Sequence, residues 1–240
     1  MKELSKISAV IITLNEEEYI EECIQSLLPA VDEVVVVDSY STDRTKEICK
    51  KLGVEWYEQE WLGYADTKNW ANSQASNDWV LSIDADEILT PLLANSIQEV
   101  KINGLSESKV YSFNRLNNYC GVWLKYAGWY PDVKVRLFAK NIAKWEGSVH
   151  EKLVFNRSVS QFNLKGDLLH YSIKNKEDHI ARVKKYCKLE KPYANRLLAF
   201  LAATNTFIRS YILKGGFMAG RIGYQVSIIS AKAKFWRGQT

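Results

Sequence analysis

Three mainly apolar runs in the first hundred residues each end in polar side chains. They are SAVIITL (8–14), running into Asn15-Glu16-Glu17; EVVVV (33–37), running into Asp38; and DWVLSI (78–83), running into Asp84-Ala85-Asp86-Glu87. An unbroken apolar run suits a strand buried on both faces, as in a parallel sheet with helices on either side. The segments between read as those helices. One spans about 17–28 and stops at Pro29. A second opens on a Ser41-Thr42-Asp43 cap and runs through about Leu52, with Gly53 at its end. A short strand at 54–58 precedes a helix at 64–76, and a further helix at 90–100 carries Pro91 in its first turn. This alternation predicts an α/β, doubly wound, mostly parallel sheet flanked by helices. Ligands of such sheets bind beyond the carboxyl ends of the strands. Asn15, Asp38 and Asp84–Asp86 all fall there.

The remainder is less regular. Residues 109–118 and 133–138 read as strands, separated by the aromatic, glycine-bearing segment YCGVWLKYAGWYPD. Residues 145–155 read as a loop running into a strand, and beyond about Glu177 the pattern turns helical. A length of 240 residues suits one domain, or one domain with an appendage. We expect a main domain over 1–175 and a basic helical extension over 176–240.

Charge supports that division. From residue 174 onward there are 14 Lys and Arg against 3 Asp and Glu, a net of +11, while the rest of the chain carries −7. A basic segment can meet nucleic acid, an anionic membrane or an acidic partner. This one also holds the apolar stretches 197–213 and 217–229, which favours a membrane surface over nucleic acid. Leu197, Phe200, Leu201, Phe207, Ile208, Tyr211 and Ile212 approximate a helical stripe. Asn205 and Arg209 interrupt it, so a helix pair lying in the interface fits better than a span. Core packing or a dimer interface is the alternative. The four cysteines lie far apart, with no CxxC or Cys/His cluster, which points to a reducing compartment rather than to disulfides or structural zinc. The N-terminus has no signal-peptide cleavage pattern.

Asp84-Ala85-Asp86 places two carboxylates one residue apart at a strand exit. Such a pair can hold Mg²⁺ or Mn²⁺ with positions left for phosphate oxygens. Most isolated triplets of this kind are solvated turns; the buried strand before it is what distinguishes this one. Asp38 opens DSYSTDRT, which reads as a helix-capping loop whose first carboxylate can also accept from a nucleobase or ribose.

Taken together, AVIITLNEEEYI, VVVVDSYSTDRT, DWVLSIDADE and GWYPDVKVRLF…WEGSVHEKL resemble the family 2 glycosyltransferases of A-type fold, over about residues 8–153. Within that family the chain is most similar to bacterial enzymes that add glucose to heptose in the lipopolysaccharide inner core. The segment GGFMAGRIGYQVSIISAKAKF is similar to the ends of those enzymes. The resemblance implies a catalytic domain that moves a hexose, glucose favoured, with inversion from a UDP-sugar to a lipid-linked saccharide. It implies work in the cytoplasm at the inner face of the plasma membrane, with no nucleic acid. Thr13, Asn15 and Glu17 match the first nucleotide-binding loop, with Leu14 where many members carry Tyr. Asp38 matches the uracil or ribose contact, and Lys68 and Asn69 a segment near the nucleotide. Asp84 and Ala85 match the ribose side of the triplet, with Asp84 on ribose or metal and Asp86 on metal.

Inversion needs a carboxylate to deprotonate the acceptor hydroxyl. Glu151 is the first candidate, Asp132 the second and Glu87 the third, the last with a second role in orienting ligands. His150 is a metal ligand, a diphosphate contact or a structural loop histidine. Arg136 clamps diphosphate or pairs with a body carboxylate. Trp123, Tyr126, Trp129 and Tyr130 suit a sugar-stacking wall, with Trp129 and Tyr130 assigned to the acceptor, or else pack the loop. Other classes fit less well. A nucleotidyltransferase needs a glycine-rich phosphate loop near the N-terminus, a dehydrogenase needs GxGxxG after the first strand, and neither is present. A non-catalytic binding module has no need of both Asp84 and Asp86.

Overall fold

The computed structural model describes residues 5–147 and 151–237. Its chain divides into two compact units. One comprises the residues up to Asn114 together with Val133–Leu169; the other comprises Arg115–Asp132 and the chain from His170.

In the first unit, β1 (Ile7–Thr13), β2 (Glu33–Asp38), β3 (Glu55–Glu58) and β4 (Trp79–Asp84) form a parallel array in the order β3-β2-β1-β4. The apolar runs fill it: Ile7, Ala9, Ile11, Val35, Val36, Val37, Val80 and Leu81 are fully buried. Each buried Ile, Val and Leu among them contributes about 1.5–3 kcal/mol. The register sets Thr13 beside Asp38 and Ile12 beside Asp84, so the polar ends of three strands share one edge.

Helices α1 (Ile20–Leu27), α2 (Thr45–Leu52) and α3 (Tyr64–Gln74) follow β1, β2 and β3. Ile20, Cys23, Ile24 and Leu27 repeat at helical spacing and bury one face of α1. This helix starts later than expected because the Glu16 and Glu17 N–H groups donate to Thr45 and Asp43. At α2 the Asp43 carboxylate accepts from Thr45 N–H at 3.0 Å, whereas Ser41 turns back to Asp38. Gly53 ends α2 at φ 68°, in the left-handed region open to glycine.

A short strand β5 (Glu87–Leu89) precedes α4 (Pro91–Asn103), which Thr90 caps with Pro91 behind it. The sheet continues through β6 (Lys109–Tyr119), with β7 (Val122–Trp123) paired to it, and β8 (Asp132–Ala139), antiparallel to β4. Two features depart from the expected pattern. Trp145 lies in a strand rather than a loop: β9 (Ala143–Glu146) and β10 (Lys152–Phe155) pair antiparallel. The stretch after them holds β11 (Ser160–Ile173), a 14-residue strand lacking the continuous apolar run that marks the others. The complete order is β3-β2-β1-β4-β8-β6-β11-β5. Gly166 on β11 approaches α4 so closely that a Cβ would lie 2.4 Å from the Leu93 nitrogen.

The second unit holds α5 (Lys176–Cys187), α6 (Arg196–Phe207) and α7 (Gly220–Trp236), with a core of Tyr119, Leu124, Ala127, Ile173 and, on α7, Val226. The stretch expected as one helix over 197–213 is α6 continued by a π-helical turn, Ile208–Leu213. A 3₁₀ turn, Gly216–Ala219, leads into α7. Gly223 is required there, since a Cβ would sit 1.7 Å from the Gly216 carbonyl oxygen. Among the described residues no helix is long and apolar enough to cross a membrane.

Candidate active site

The loops after β1 and β2 are stitched together. Asn15, at φ 55°, donates its N–H to Ser41 Oγ at 2.7 Å and accepts with Oδ1 from the Thr42 N–H at 2.8 Å. Asparagine tolerates that left-handed backbone better than most residues. The Glu17 carboxylate accepts from the Arg44 N–H and Nε at 3.1 and 3.0 Å. Beneath them Asp38 is 1% exposed, and its two oxygens accept from the Ser41 N–H and hydroxyl. Asn15, Glu17 and Asp38 thus shape the loop pair. Thr13 Oγ1 is buried without a hydrogen-bond partner among the described residues.

Asp84, the last residue of β4, is the hub of the acidic edge. Lys68 Nζ from α3 lies 3.0 Å from Oδ1, and Arg136 Nη2 from β8 donates to Oδ2 at 2.8 Å. Burial works to raise the Asp84 pKa, but the two cations overcome it and hold the carboxyl well below the usual range. Arg136 also donates to Glu87 Oε1 at 2.7 Å, and Glu87 Oε2 accepts from the Asp84 N–H at 3.0 Å. Burial disfavours the Arg136 charge, yet Asp84 and Glu87 hold its pKa above the ordinary value. Arg136 therefore pairs with body carboxylates. Its Nε is buried with no partner among the described residues. Glu87 is fully buried and fastens the turn through Arg136 and the Asp84 N–H.

Lys68 extends the network. It donates to Glu151 Oε1 at 3.1 Å and lies 4.9 Å from the centre of the Trp145 ring. Asn69 gives both amide atoms to the Trp145 backbone, at 2.8 and 2.9 Å, and so fastens α3 to β9. Under the turn, the Cys23 thiol is pushed well up in pKa by burial and by Glu87, Asp86 and Asp84, which keeps it protonated and unreactive.

Ala85 is buried and Asp86 half-buried on the turn between β4 and β5. Among the described residues no three His, Cys, Asp or Glu side chains form a ready cage for a metal. Both Asp84 oxygens are already engaged by cations. A hard divalent ion, however, is commonly held by one or two carboxylates plus phosphate oxygens and water. In donor type the turn is compatible with such an ion. His150 lies outside the described residues.

The family model described as Glycosyl transferase family 2 matches residues 8–104. An uncharacterized glycosyltransferase of Rickettsia typhi is 34% identical over 255 residues, spanning 98% of this chain and 86% of that one. This chain belongs to glycosyl transferase family 2. The lipopolysaccharide core biosynthesis glycosyltransferase LpsC of Rhizobium meliloti is 31% identical to this family 2 enzyme, over 77% of this chain and 70% of LpsC. Among solved structures, S. aureus TarS 1–349 in complex with UDP-GlcNAc matches with a TM-score of 0.50 at 18% identity, over 94% of this chain and 79% of that one. Of a longer TarS chain the enzyme covers 46%. The likeness to TarS is one of fold.

In the glycosyltransferase's second unit, the expected aromatic wall separates into parts. Trp129 packs edge-on against Tyr119 and His179, with ring centres 5.6 and 5.8 Å apart. Trp123 packs against Tyr171 at 5.2 Å, and Tyr126 is exposed. Asp132, the runner-up base, pairs with Arg115 through Oδ2 at 2.9 and 2.8 Å. Residues 115–132 and 170–173 enclose a cavity of about 400 Å³ that Trp129 and Asp132 line; Tyr130 is not among its lining residues. The sequence reading missed Arg115, Asn117 and His170 at this cavity, and Trp145 under Lys68. Trp145 stood in the quoted WEGSVHEKL, so a signal was present. Asn117 and His170 are 53 positions apart and carried none.

Proposed function

We propose that this glycosyltransferase moves a hexose, glucose favoured, with inversion from a UDP-sugar to a lipid-linked saccharide, heptose of the lipopolysaccharide inner core. The carrying observation is the Asp84 hub: an acidic strand exit joined to Lys68 and Arg136, with Asp86 on the adjoining turn. Asn15, Glu17 and Asp38 build the loop pair that would receive the nucleotide, and Thr13 Oγ1 and Arg136 Nε supply buried polar atoms for a bound group to satisfy. Asp86 would hold Mg²⁺ or Mn²⁺, which supplies charge neutralisation on the leaving diphosphate. Lys68 and Arg136 orient Asp84, and Glu151 or Asp132 takes the acceptor proton. LpsC, a lipopolysaccharide core enzyme by name, supports the choice of acceptor.

The membrane reading rests on α6 and the turns after it. Leu197, Phe200, Leu201, Leu213, Phe217 and Met218 are each more than half exposed. Around them the described residues from Lys174 on carry the basic excess. An apolar face with basic flanks suits the cytoplasmic surface of an anionic bilayer.

The test is donor turnover across a panel of nucleotide-sugars with Mg²⁺ or Mn²⁺. Release of UDP from one UDP-sugar, lost with EDTA and in Asp86→Ala while the fold survives, supports the reading. No turnover with any nucleotide-sugar sinks it.

A further inference from the structure

A second cavity of the same unit lies between α5 and α7. Its volume is about 340 Å³, within the roughly 300–1,000 Å³ of small-ligand sites. Ile180 of α5 and Tyr224, Ile228 and Trp236 of α7 give it apolar walls. Lys176, Arg221 and Lys232 give it positive charge, and among the described residues no carboxylate lines it.

The two helices run side by side in one direction. Ile173, just before α5, shares a core with Ile222 and Val226, whereas Cys187 at the far end of α5 donates to the Ala233 carbonyl at 3.4 Å. Lys176 and Arg221 therefore stand at the same end of the groove. From Arg221 to Trp236 the α7 axis rises about 22 Å, so a cavity of this volume is long and narrow. Its walls are set from behind. Tyr224 packs edge-on against Phe207 and Tyr211, with ring centres 6.1 and 6.0 Å away, and Lys184 Nζ lies 5.4 Å from the centre of the Trp236 ring.

The charge in the groove is not spent within the fold. Three acidic residues follow residue 174. Asp178 pairs with Arg182 at 2.8 Å, Glu190 pairs with Arg237, and Glu177 is not a lining residue. Lys176, Arg221 and Lys232 are exposed and have no ion-pair partner among the described residues.

We propose that this groove binds an anionic lipid, with its phosphate at Lys176 and Arg221 and one acyl chain along Tyr224, Ile228 and Trp236. Lysine and arginine at the head end suit a phosphate. A phosphate without a chain would leave the apolar strip unused. A peptide helix, about 10–12 Å across with its side chains, is too broad to enter except by its edge. Lys232 lies partway along, where its stem can cover the chain while its ammonium stays in water. The groove is separate from the exposed face of α6. Its binding of a lipid does not require the membrane reading above; only a bilayer as the source of that lipid rests on it.

The experiment is calorimetry and isoleucine-methyl NMR on the full chain, with dodecyl phosphate below its micellar concentration as the probe. Inorganic phosphate, a neutral dodecyl polyoxyethylene ether and an acidic Glu/Leu peptide are the comparisons. Sedimentation with anionic vesicles is measured separately. The expected result is saturable binding of one dodecyl phosphate, with shifts at Ile180 and Ile228, at least about tenfold tighter than any comparison. Lys176→Gln/Arg221→Gln should weaken it at least about tenfold. Lys185→Gln/Lys188→Gln removes as much charge from exposed positions outside the lining and should leave it unchanged. Thermal unfolding monitors both, and Ile180→Gln replaces the groove variant if that one fails to fold. The proposal is overturned if dodecyl phosphate does not bind, if its shifts fall elsewhere, or if both double variants lose equally. It is equally overturned if phosphate alone, the ether or the peptide binds as tightly. Dodecyl phosphate binding without vesicle binding sinks the membrane reading and leaves the groove; vesicle binding without dodecyl phosphate binding does the reverse.

Discussion

Replacing Arg136 with methionine isolates what the acidic edge depends on. The side chain is 5% exposed and joins Glu87, fully buried, to Asp84, 28% exposed. Removing one partner of a buried pair costs about 3–5 kcal/mol, because the other charge is left without compensation. Asp84 retains Lys68 at 3.0 Å and some water, so the cost falls chiefly on Glu87 and should sit near the low end, about 3 kcal/mol. Glu87→Gln keeps the shape and removes the charge. It weakens the bond to Arg136 and sets an amide donor against one of the two donors that Glu87 accepts from, a loss of about 2 kcal/mol.

Independent effects would sum to about 5 kcal/mol in Arg136→Met/Glu87→Gln. The double variant instead leaves no lone charge in the core and should lose only about 3 kcal/mol, a coupling of about 2 kcal/mol. Urea unfolding at pH 7.5 of the four proteins measures it. Additivity within about 0.5 kcal/mol would refute the pairing. The same variants examine the role of Glu87: if it fastens the turn, Glu87→Gln shifts stability and leaves the pH profile of kcat in place. A loss of about a hundredfold in kcat at unchanged stability would instead make it a base.

His179 is buried, and burial pushes its pKa down from 6.5 to about 4. A neutral ring in the fold and a protonatable one in the unfolded chain mean that its contribution is complete above about pH 6.5 and is lost as pH falls toward 4. The gap is worth about 3 kcal/mol, and His179→Leu should flatten that part of the urea-midpoint profile; parallel profiles would contradict the assignment. Asp132→Asn and Glu151→Gln separate the candidate bases. The true base loses about a hundredfold or more in kcat with the acidic pH limb removed, whereas the other variant keeps that limb. For the membrane face, Phe200→Glu/Leu213→Glu should lose at least about tenfold in sedimentation with anionic vesicles, and equal binding of wild type to neutral vesicles would discount the basic flanks.

What could be read in advance divides along a physical line. β1, β2 and β4 are buried on both faces, so their composition alone marks them, and the polar residues that close each run point to the shared edge on the same grounds. β11 reads SQFNLKGDLLHYSI, with Leu164 and Leu168 buried among exposed or half-buried neighbours such as Gln161 and Lys165. It carries no apolar run, and a search for runs passes over it. The turn carrying Asp84 and Asp86 was legible for the same reason as β4.

The partners of Asp84 were not legible, because they depend on closure of the sheet. Lys68 arrives from α3 and Arg136 from β8, at sequence separations that no local pattern encodes. That closure changes the chemistry assigned to the triplet. Read as a sequence, Asp84 and Asp86 are two carboxylates one residue apart, either of which could reach a metal, with Asp84 also matched to ribose. In the fold, Asp84 has an oxygen on each of two cations and a pKa driven well down, so binding a metal would mean displacing a lysine or an arginine. Asp86, two residues beyond, stands on the turn itself. The two carboxylates should therefore fail differently. Asp86→Ala should weaken the apparent affinity for Mn²⁺ in a turnover assay while leaving urea stability near wild type. Asp84→Ala should release Lys68 and Arg136 and lower stability by about 1–3 kcal/mol. Equal loss of metal affinity in both, at equal stability, would make both carboxylates metal ligands and remove the hub.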